Sequence, residues 1–405
     1  MPPHEAGVRT PEQGIHGVTA DGYEAVRDAF TANFTQRGER GAAVAVFHDG
    51  RLVVDLWGGT ADADAPEGGG RPWTRDTVQN LRSATKGVAA TVVLLLADRG
   101  LIDVDAPLCE YWPEFAAGGK ERITTRQLLS HQAGLAALEN PLTWAQAQDR
   151  ITGPAAVAAQ RPLWEPGTAH GYHAQTFSWL LGELVRRVDG RSLGTVLAED
   201  LTELLGLDLW IGLPEDRHDR VGRTAAVEQP QSVGDGLRTR PRRSIAAAYA
   251  DPRSLTRRAF STVSPAPDEN CPAWWSAELP ASNGIATARG LAGFYAALAG
   301  GRIVTRSTLL RACTPHTAGT DRVLLSRTGF GLGFMLHGPA CPMTSPAAFG
   351  HPGRGGTLAF ADPALGLAFA YITNSMQPTI TSDPRAWALV RSVQQALTLR
   401  RPTAA

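Results

Sequence analysis

The stretch AAVAVFHDGRLVVDLWGG (residues 42–59) reads as two strands around Asp49-Gly50. Asp-Gly between apolar runs is a strong short hairpin signal, because both residues tolerate the positive φ angles of a tight turn. Near the other end, GTLAFADPALGLAFAYITN (356–374) reads as a strand, an Asp-Pro turn and a second strand. Between these strand pairs the pattern is mostly helical and broken by Pro and Gly. Strands early and late, with helices between, predict one sheet built from both chain ends and a mostly helical insertion. The expected class is α+β, an α/β/α sandwich with an antiparallel sheet. Residues 1–80 and 283–405 would form the sheet domain and 81–282 the helical one, with the active site in the cleft at their junction.

Within that frame, four further segments have local signals. Tyr23, Val26, Phe30 and Phe34 recur at helical spacing over 21–37. Residues 84–99 predict a helix that is apolar on nearly every side, hence buried, and that stops at Gly100. Residues 221–282 look loop-rich. A last helix is expected to start at Asp383 as N-cap with Pro384 at its first position.

The buried helix at 84–99 follows the sequence NLRSATKG, with Ser83 three positions before Lys86. The chain has 39 basic residues, yet only Lys86 and Lys120 are lysines. Residues three apart share a helix face, so the Ser83 hydroxyl and the Lys86 amine should sit side by side. Serine needs a neighbouring base to become a nucleophile. A lysine whose pKa is lowered by desolvation or a nearby cation can serve. Arginine cannot, because it does not release its proton in a protein. The bland alternative is a helix cap followed by an ordinary first-turn lysine.

Composition excludes several classes. Apolar content of 43% and charged content of 19% fit an ordinary globular chain with a sizeable core. Zero formal net charge argues against a nucleic-acid partner. The arginine-rich segment 237–258 (Arg238, Arg240, Arg242, Arg243, Arg253, Arg257 and Arg258) reads as a solvated loop. The cysteines at 109, 271, 313 and 341 have no metal spacing and suggest no disulfide framework. No cofactor or metal is expected. The N-terminal segment lacks a basic region followed by an apolar stretch, and the longest apolar run, Val88 to Ala97, is too short to span a bilayer; a soluble cytoplasmic protein is expected. The sequence GRSLG (190–194) matches the G-x-S-x-G of α/β-hydrolases, but a helical pattern precedes it where that motif needs a strand. Ser192 therefore reads as an N-cap after a helix–helix turn.

Four blocks occur in a telling order: SATK (83–86), ITTRQLLSHQAGL (123–135), WEPGTAHGYHAQTFSWLLGELVRRVDGRSL (164–193) and GHPGRGGTLAFADP (350–363). Over about residues 15–398 the chain resembles the serine β-lactamase-related enzymes, above all the class C-like group. That group includes family VIII carboxylesterases, D-aminopeptidases, DD-peptidase relatives and transesterases. The resemblance implies that Ser83 is the acylated nucleophile, Lys86 its base and Tyr172 a proton relay. A lysine and a tyrosine held together would each have its pKa lowered by the other's charge. His351-Pro352-Gly353 takes the place of a K-T-G strand, making His351 and Gly353 substrate-binding candidates. The backbone N–H groups of Ser83 and Arg354 would form the oxyanion hole; Pro352 has no N–H.

The chain departs from the pattern twice. Ala174 stands where the Y-x-N motif has asparagine, and His351 where K-T-G has lysine. Both changes favour a neutral ester over a β-lactam or peptidoglycan. His351 is either a substrate contact or a satisfied strand-end histidine. Trp274 and Trp275 either line an acyl pocket or pack. The expected function is therefore a carboxylesterase that forms an acyl-enzyme with a small-molecule ester. The alternative is an acyltransferase passing the same acyl group to an alcohol or amine. A β-lactamase, a D-aminopeptidase or a non-catalytic binding protein fits less well, the last because Ser83, Lys86 and Tyr172 are all present.

Overall fold

The computed structural model describes residues 14–66, 68–227, 243–378 and 383–400. Strands β1 (Ile15–Thr19), β2 (Gly41–His48) and β3 (Arg51–Gly59) come first, with helix α1 (Glu24–Gln36) after β1. The hairpin turn between β2 and β3 has Asp49 at φ +49° and Gly50 at φ +74°, the two positive angles expected of Asp-Gly. Helix α2 (Thr85–Asp98) follows β4 (Gln79–Asn80); helix α3 (Phe177–Asp189) and β5 (Leu209–Ile211) lie further along. After β6 (Gly284–Ala286) and helix α4 (Ala288–Ala299) come β7 (Thr317–Thr320), β8 (Arg327–Phe330), β9 (Met335–Leu336), β10 (Phe349–Pro352), β11 (Leu358–Asp362) and β12 (Leu367–Thr373). Helix α5 (Pro384–Arg400) closes the described chain.

Among the described residues the main sheet has nine strands in the order β1-β3-β2-β12-β11-β10-β9-β8-β7. Every pairing in it is antiparallel. The long pairing of β12 with β2, from Leu367↔His48 to Thr373↔Ala42, joins the two chain ends. The layering follows from side-chain size. On one face lie Ala43, Ala45, Ala359, Ala361, Ala368 and Ala370, small enough for α4 to pack close, and this core continues through α2 to α3. On the other face lie Val44, Val46, Phe360, Phe369 and Tyr371, packed against Val26 and Phe30 of α1 and Leu389, Val390 and Val393 of α5. Strand side chains alternate between faces, so one run such as AVAV serves both layers.

A small second sheet, β4-β6-β5, pairs Asn80 with Ile285, so the chain leaves and re-enters the main sheet side by side. Helix α2 is buried from Thr85 to Leu96, and Gly100 follows at φ +76°. The segment that looked loop-rich contains short helices at Arg243–Ala250, Leu255–Ala259 and Pro272–Ser276. Of the arginine-rich segment, Arg238, Arg240 and Arg242 lie outside the described residues; the Arg253 side chain is exposed, and Arg258 donates to the Leu138 carbonyl. Ser192 caps a five-residue helix, accepting from the Thr195 N–H at 3.1 Å, and hydrogen-bonds Glu278. Among the described residues the four cysteines are free, no group of acidic, His or Cys side chains could hold a metal, and no helix is long and apolar enough to cross a membrane.

Candidate active site

Ser83 sits in a single 3₁₀ turn (Arg82–Ala84) that runs directly into α2. The residue before it, Arg82, has φ +48°, a left-handed conformation costly for a side chain with a Cβ. Contacts hold it there: its N–H donates to Asn80 Oδ1 at 3.1 Å, and its buried guanidinium pairs with Glu269 at 2.6 Å. The strained residue opens the turn and redirects the chain so that Ser83 is its middle residue. The flanking N–H groups are engaged, Arg82's by Asn80 and Ala84's by the Leu81 carbonyl. The Ser83 N–H, in the first turn of the helix, has no intrahelical acceptor.

One turn on, Lys86 is completely buried. Its Nζ donates to two backbone carbonyls, Ala174 at 2.8 Å and Ala281 at 2.9 Å, and lies 3.4 Å from Ser83 Oγ. Desolvation holds its pKa well below the usual lysine value. A neutral amine has two N–H bonds and one lone pair. In that neutral form the two carbonyls would take the N–H bonds and leave the lone pair for the serine, whereas the ammonium donates to Ser83 Oγ as a third acceptor. Ala174 thus acts through its backbone, a role independent of the side chain at that position.

The Tyr172 ring lies 4.7 Å from Lys86 Nζ, measured to its centroid. Asp321, buried in the loop between β7 and β8, accepts from the Tyr172 N–H at 3.1 Å and from the N–H groups of Val323 and Leu324. The expectation that lysine and tyrosine lower each other's pKa is corrected for both: Lys86 is lowered by desolvation and not by the tyrosine, and Tyr172 is not lowered at all. Burial raises the phenol well above its ordinary value; Ser83 opposes this, and Asp321 and Tyr249 add to it. The phenol O–H makes no regular hydrogen bond even though Ser83 is close enough to influence it. The two environments push the pKa values in opposite directions, leaving an amine that can accept a proton and a phenol that keeps its own.

His351, on β10, is also buried, with its ring 5.7 Å from that of Tyr172. Its Nδ1 lies 2.7 Å from the Pro352 carbonyl, which can only accept, so Nδ1 carries the hydrogen. Nε2 is then a buried acceptor without a partner. Burial, reinforced by Lys86, lowers its pKa to about 3, so the ring is neutral throughout the physiological range. Gly353 has a packing reason: a Cβ there would lie 2.4 Å from the Leu81 carbonyl, so glycine lets β10 end against the Ser83 turn. In the turn that follows, the Gly356 N–H closes onto the Gly353 carbonyl at 3.2 Å, and the turn itself does not use the Arg354 N–H. The Arg354 side chain is half exposed, 3.7 Å from Glu269.

Ser83, Lys86, Tyr172 and His351 therefore converge, and the Gly353–Arg354 turn packs against them. Trp274 and Trp275 have no contact with these four side chains among those found. They are buried in a satellite cluster with Val78, Leu213 and Ile285, where Trp274 packs on Trp144 and Trp275 donates to the Glu269 carbonyl. Aromatic side chains that continue from Tyr172 include Phe330, at 6.3 Å between ring centroids, and Phe260, at 6.2 Å, with Tyr249 5.6 Å beyond Phe260. Sequence reasoning missed these three, and it missed Asp321, Arg82 and Glu269. A carboxylate 149 residues from the backbone it holds has no spacing signal.

A beta-lactamase family model matches residues 26–394. The chain belongs to the beta-lactamase family. Within the family it is 37% identical to the esterase/beta-lactamase LipL of Mycobacterium tuberculosis, over 91% of this chain and 85% of that protein. Among solved structures, a family VIII carboxylesterase is 38% identical and superposes with a TM-score of 0.83, covering 94% of this chain and 99% of the other. A penicillin-binding protein homolog from Caulobacter crescentus is also 38% identical, with a TM-score of 0.81 over 94% of this chain and 99% of the other. The serine β-lactamase-like fold expected from the four sequence blocks is the fold observed.

Lys120, the second lysine, shows the contrast with Lys86. It too is buried, but it donates to three carbonyls, those of Ala117, Ala158 (2.8 Å) and Gln160 (2.6 Å). All three of its acceptors are backbone carbonyls, so Lys120 ties two loops together, whereas one of the three groups that Lys86 meets is the Ser83 hydroxyl.

Proposed function

We propose that this chain is a serine carboxylesterase acting on small-molecule esters through an acyl-enzyme on Ser83. The observation that carries the reading is the Lys86 amine, buried, bonded to two carbonyls and facing Ser83 Oγ. Neutral Lys86 takes the Ser83 proton as Oγ attacks the ester carbonyl. The N–H groups of Ser83 and Arg354 receive the negative charge on the former carbonyl oxygen. As the tetrahedral intermediate collapses, the C–O bond to the alcohol breaks. The alcohol leaves with a proton from the Tyr172 phenol or the Lys86 ammonium, and Lys86 restores the phenol if that proton came from Tyr172. Water then attacks the acyl carbonyl and gives a proton to neutral Lys86; as the second tetrahedral intermediate collapses, the C–O bond to Ser83 breaks, the Lys86 ammonium returns its proton to Oγ, and the acid is released.

The neutral His351 has no charge with which to hold an anionic substrate group. Its Nε2 can accept a hydrogen bond from a substrate donor or from the incoming water. The relatives support the reading: LipL is described as an esterase/beta-lactamase, and the matched structure is a carboxylesterase. The test offers a p-nitrophenyl ester and a chromogenic cephalosporin, each with and without an added alcohol. Ester hydrolysis should be fast, lost in Ser83→Ala and kept in Ser192→Ala. Mass spectrometry should find an acyl adduct on Ser83. Retained esterase activity in Ser83→Ala would sink the proposal. Faster release of p-nitrophenol with alcohol, with ester as the product, would show acyl transfer from the same intermediate.

A further inference from the structure

The turn that presents the Arg354 N–H is held from behind. At its near end the Gly353 N–H donates to the Thr357 carbonyl at 2.7 Å. At its far end the Gly355 carbonyl accepts from Arg385 Nη2 at 2.6 Å. Arg385 is the second residue of α5 and is fully buried. Its guanidinium is fixed on every side. Asp383 accepts from Nε and from Nη2, both at 3.0 Å. Glu39 accepts from Nη1 at 3.1 Å, and Glu39 is itself gripped by the Tyr371 hydroxyl and by Thr373 Oγ1 at 2.7 Å.

The glycines of the turn fit this arrangement. Gly356 has φ +130°, and a Cβ there would lie 2.5 Å from Arg385 Nη2. Gly355 has φ +96°, and a Cβ there would lie 2.3 Å from Met376 Sδ. The glycine run of GRGG thus admits the guanidinium to the back of the turn. A buried ion network is a poor source of net stability, because desolvating the charges offsets their attraction. What it supplies is a fixed direction for the groups it holds.

We propose that Arg385 is a positioning residue for acyl transfer. By holding the Gly355 carbonyl, it keeps the Arg354 N–H aimed at the point where the oxyanion forms. This rests on the reading of Ser83 as nucleophile and of the Arg354 N–H as an oxyanion donor. Displacing a donor of this kind should lower kcat by about 10- to 100-fold.

The test compares Arg385→Lys and Arg385→Met with Thr373→Val, which loosens the same network without touching Gly355. The probes are a p-nitrophenyl ester and an alkyl boronic acid, whose adduct on Ser83 places an oxygen at the oxyanion position. The Arg385 variants should lose kcat and boronate affinity by the same factor, with KM within about twofold. Thr373→Val, though less stable, should keep both within about threefold. Loss of boronate affinity in Thr373→Val equal to that in the Arg385 variants would overturn the inference. So would wild-type kcat in folded Arg385→Lys. If neither Arg385 variant folds, Asp383→Asn, which leaves the guanidinium in place with a weaker hold, must show the same split or the inference fails. Absence of any boronate adduct on wild-type Ser83 would instead refute the serine-enzyme reading.

Discussion

Replacing Lys86 by Met tests the catalytic base without measuring catalysis. Burial holds the folded-state pKa of Lys86 well below 10.5. Between that lowered value and the unfolded value of about 10.4, the unfolded chain carries a proton that the folded chain lacks. Unfolding therefore takes up a proton, and stability rises with pH across this window, at about 1.4 kcal/mol per pH unit for one full proton. Lys86→Met has no such group. It leaves the Ala174 and Ala281 carbonyls without their donor, at about 1–3 kcal/mol each, but that loss does not depend on pH. Wild type should thus gain steadily on Lys86→Met as pH rises from the lowered folded-state value toward about 10.4. Urea denaturation of both proteins at several pH values reads this difference. A flat difference would mean that folded Lys86 keeps its proton and cannot receive one from Ser83. In ester hydrolysis, Lys86→Met and Lys86→Arg should both lose about 10²- to 10⁴-fold in kcat.

Three further outcomes are expected. Tyr172→Phe should lose kcat by about 10²- to 10⁴-fold while its melting temperature holds or rises, because the phenol O–H it removes has no regular partner; a fall in stability with activity kept would assign Tyr172 to the core. The buried histidines should make the fold acid-labile. His173 is held down at about 4 and His351 at about 3, both mainly by burial. Their contribution is complete above the unfolded value near 6.5 and is lost as pH falls toward the folded values, at about 3 kcal/mol each by pH 4.5. Urea midpoints between pH 4.5 and 7 should fall less steeply in His351→Gln, and an unchanged slope would refute the assignment. Ser192→Ala should lose about 1 kcal/mol with its helix cap and keep full esterase kcat; loss of activity at native stability would restore the G-x-S-x-G reading.

Much of the sheet was legible because its turns carry local chemistry. Asp49-Gly50 and Asp362-Pro363 each mark a hairpin whose strands then pair as expected. Ser83 and Lys86 were legible because helical spacing puts them on one face. The partners that tune them were not, for two reasons. Some are backbone atoms: the carbonyls of Ala174 and Ala281 leave no side-chain signature at their positions. Others are distant in sequence: Asp321 meets Tyr172, and Arg385 meets Gly355, only through the folded sheet and its helices. The sense of the Tyr172 shift was missed because composition does not reveal how fully a ring will be desolvated. Trp274 and Trp275 show the converse, since two large aromatics near a cleft can as readily fill a neighbouring core.

The burial of both lysines bears on how this chain would withstand a reactive acyl donor. Activated esters acylate free amines spontaneously, and a surface lysine would be a slow side product of any such reaction. Here Lys120 and Lys86 are both fully buried, and the other 37 cations are arginines. The folded surface thus presents no ε-amine to a reactive acyl donor. An amine-acylating label should enter the side chains of the native protein poorly and mark Lys120 only as the fold opens.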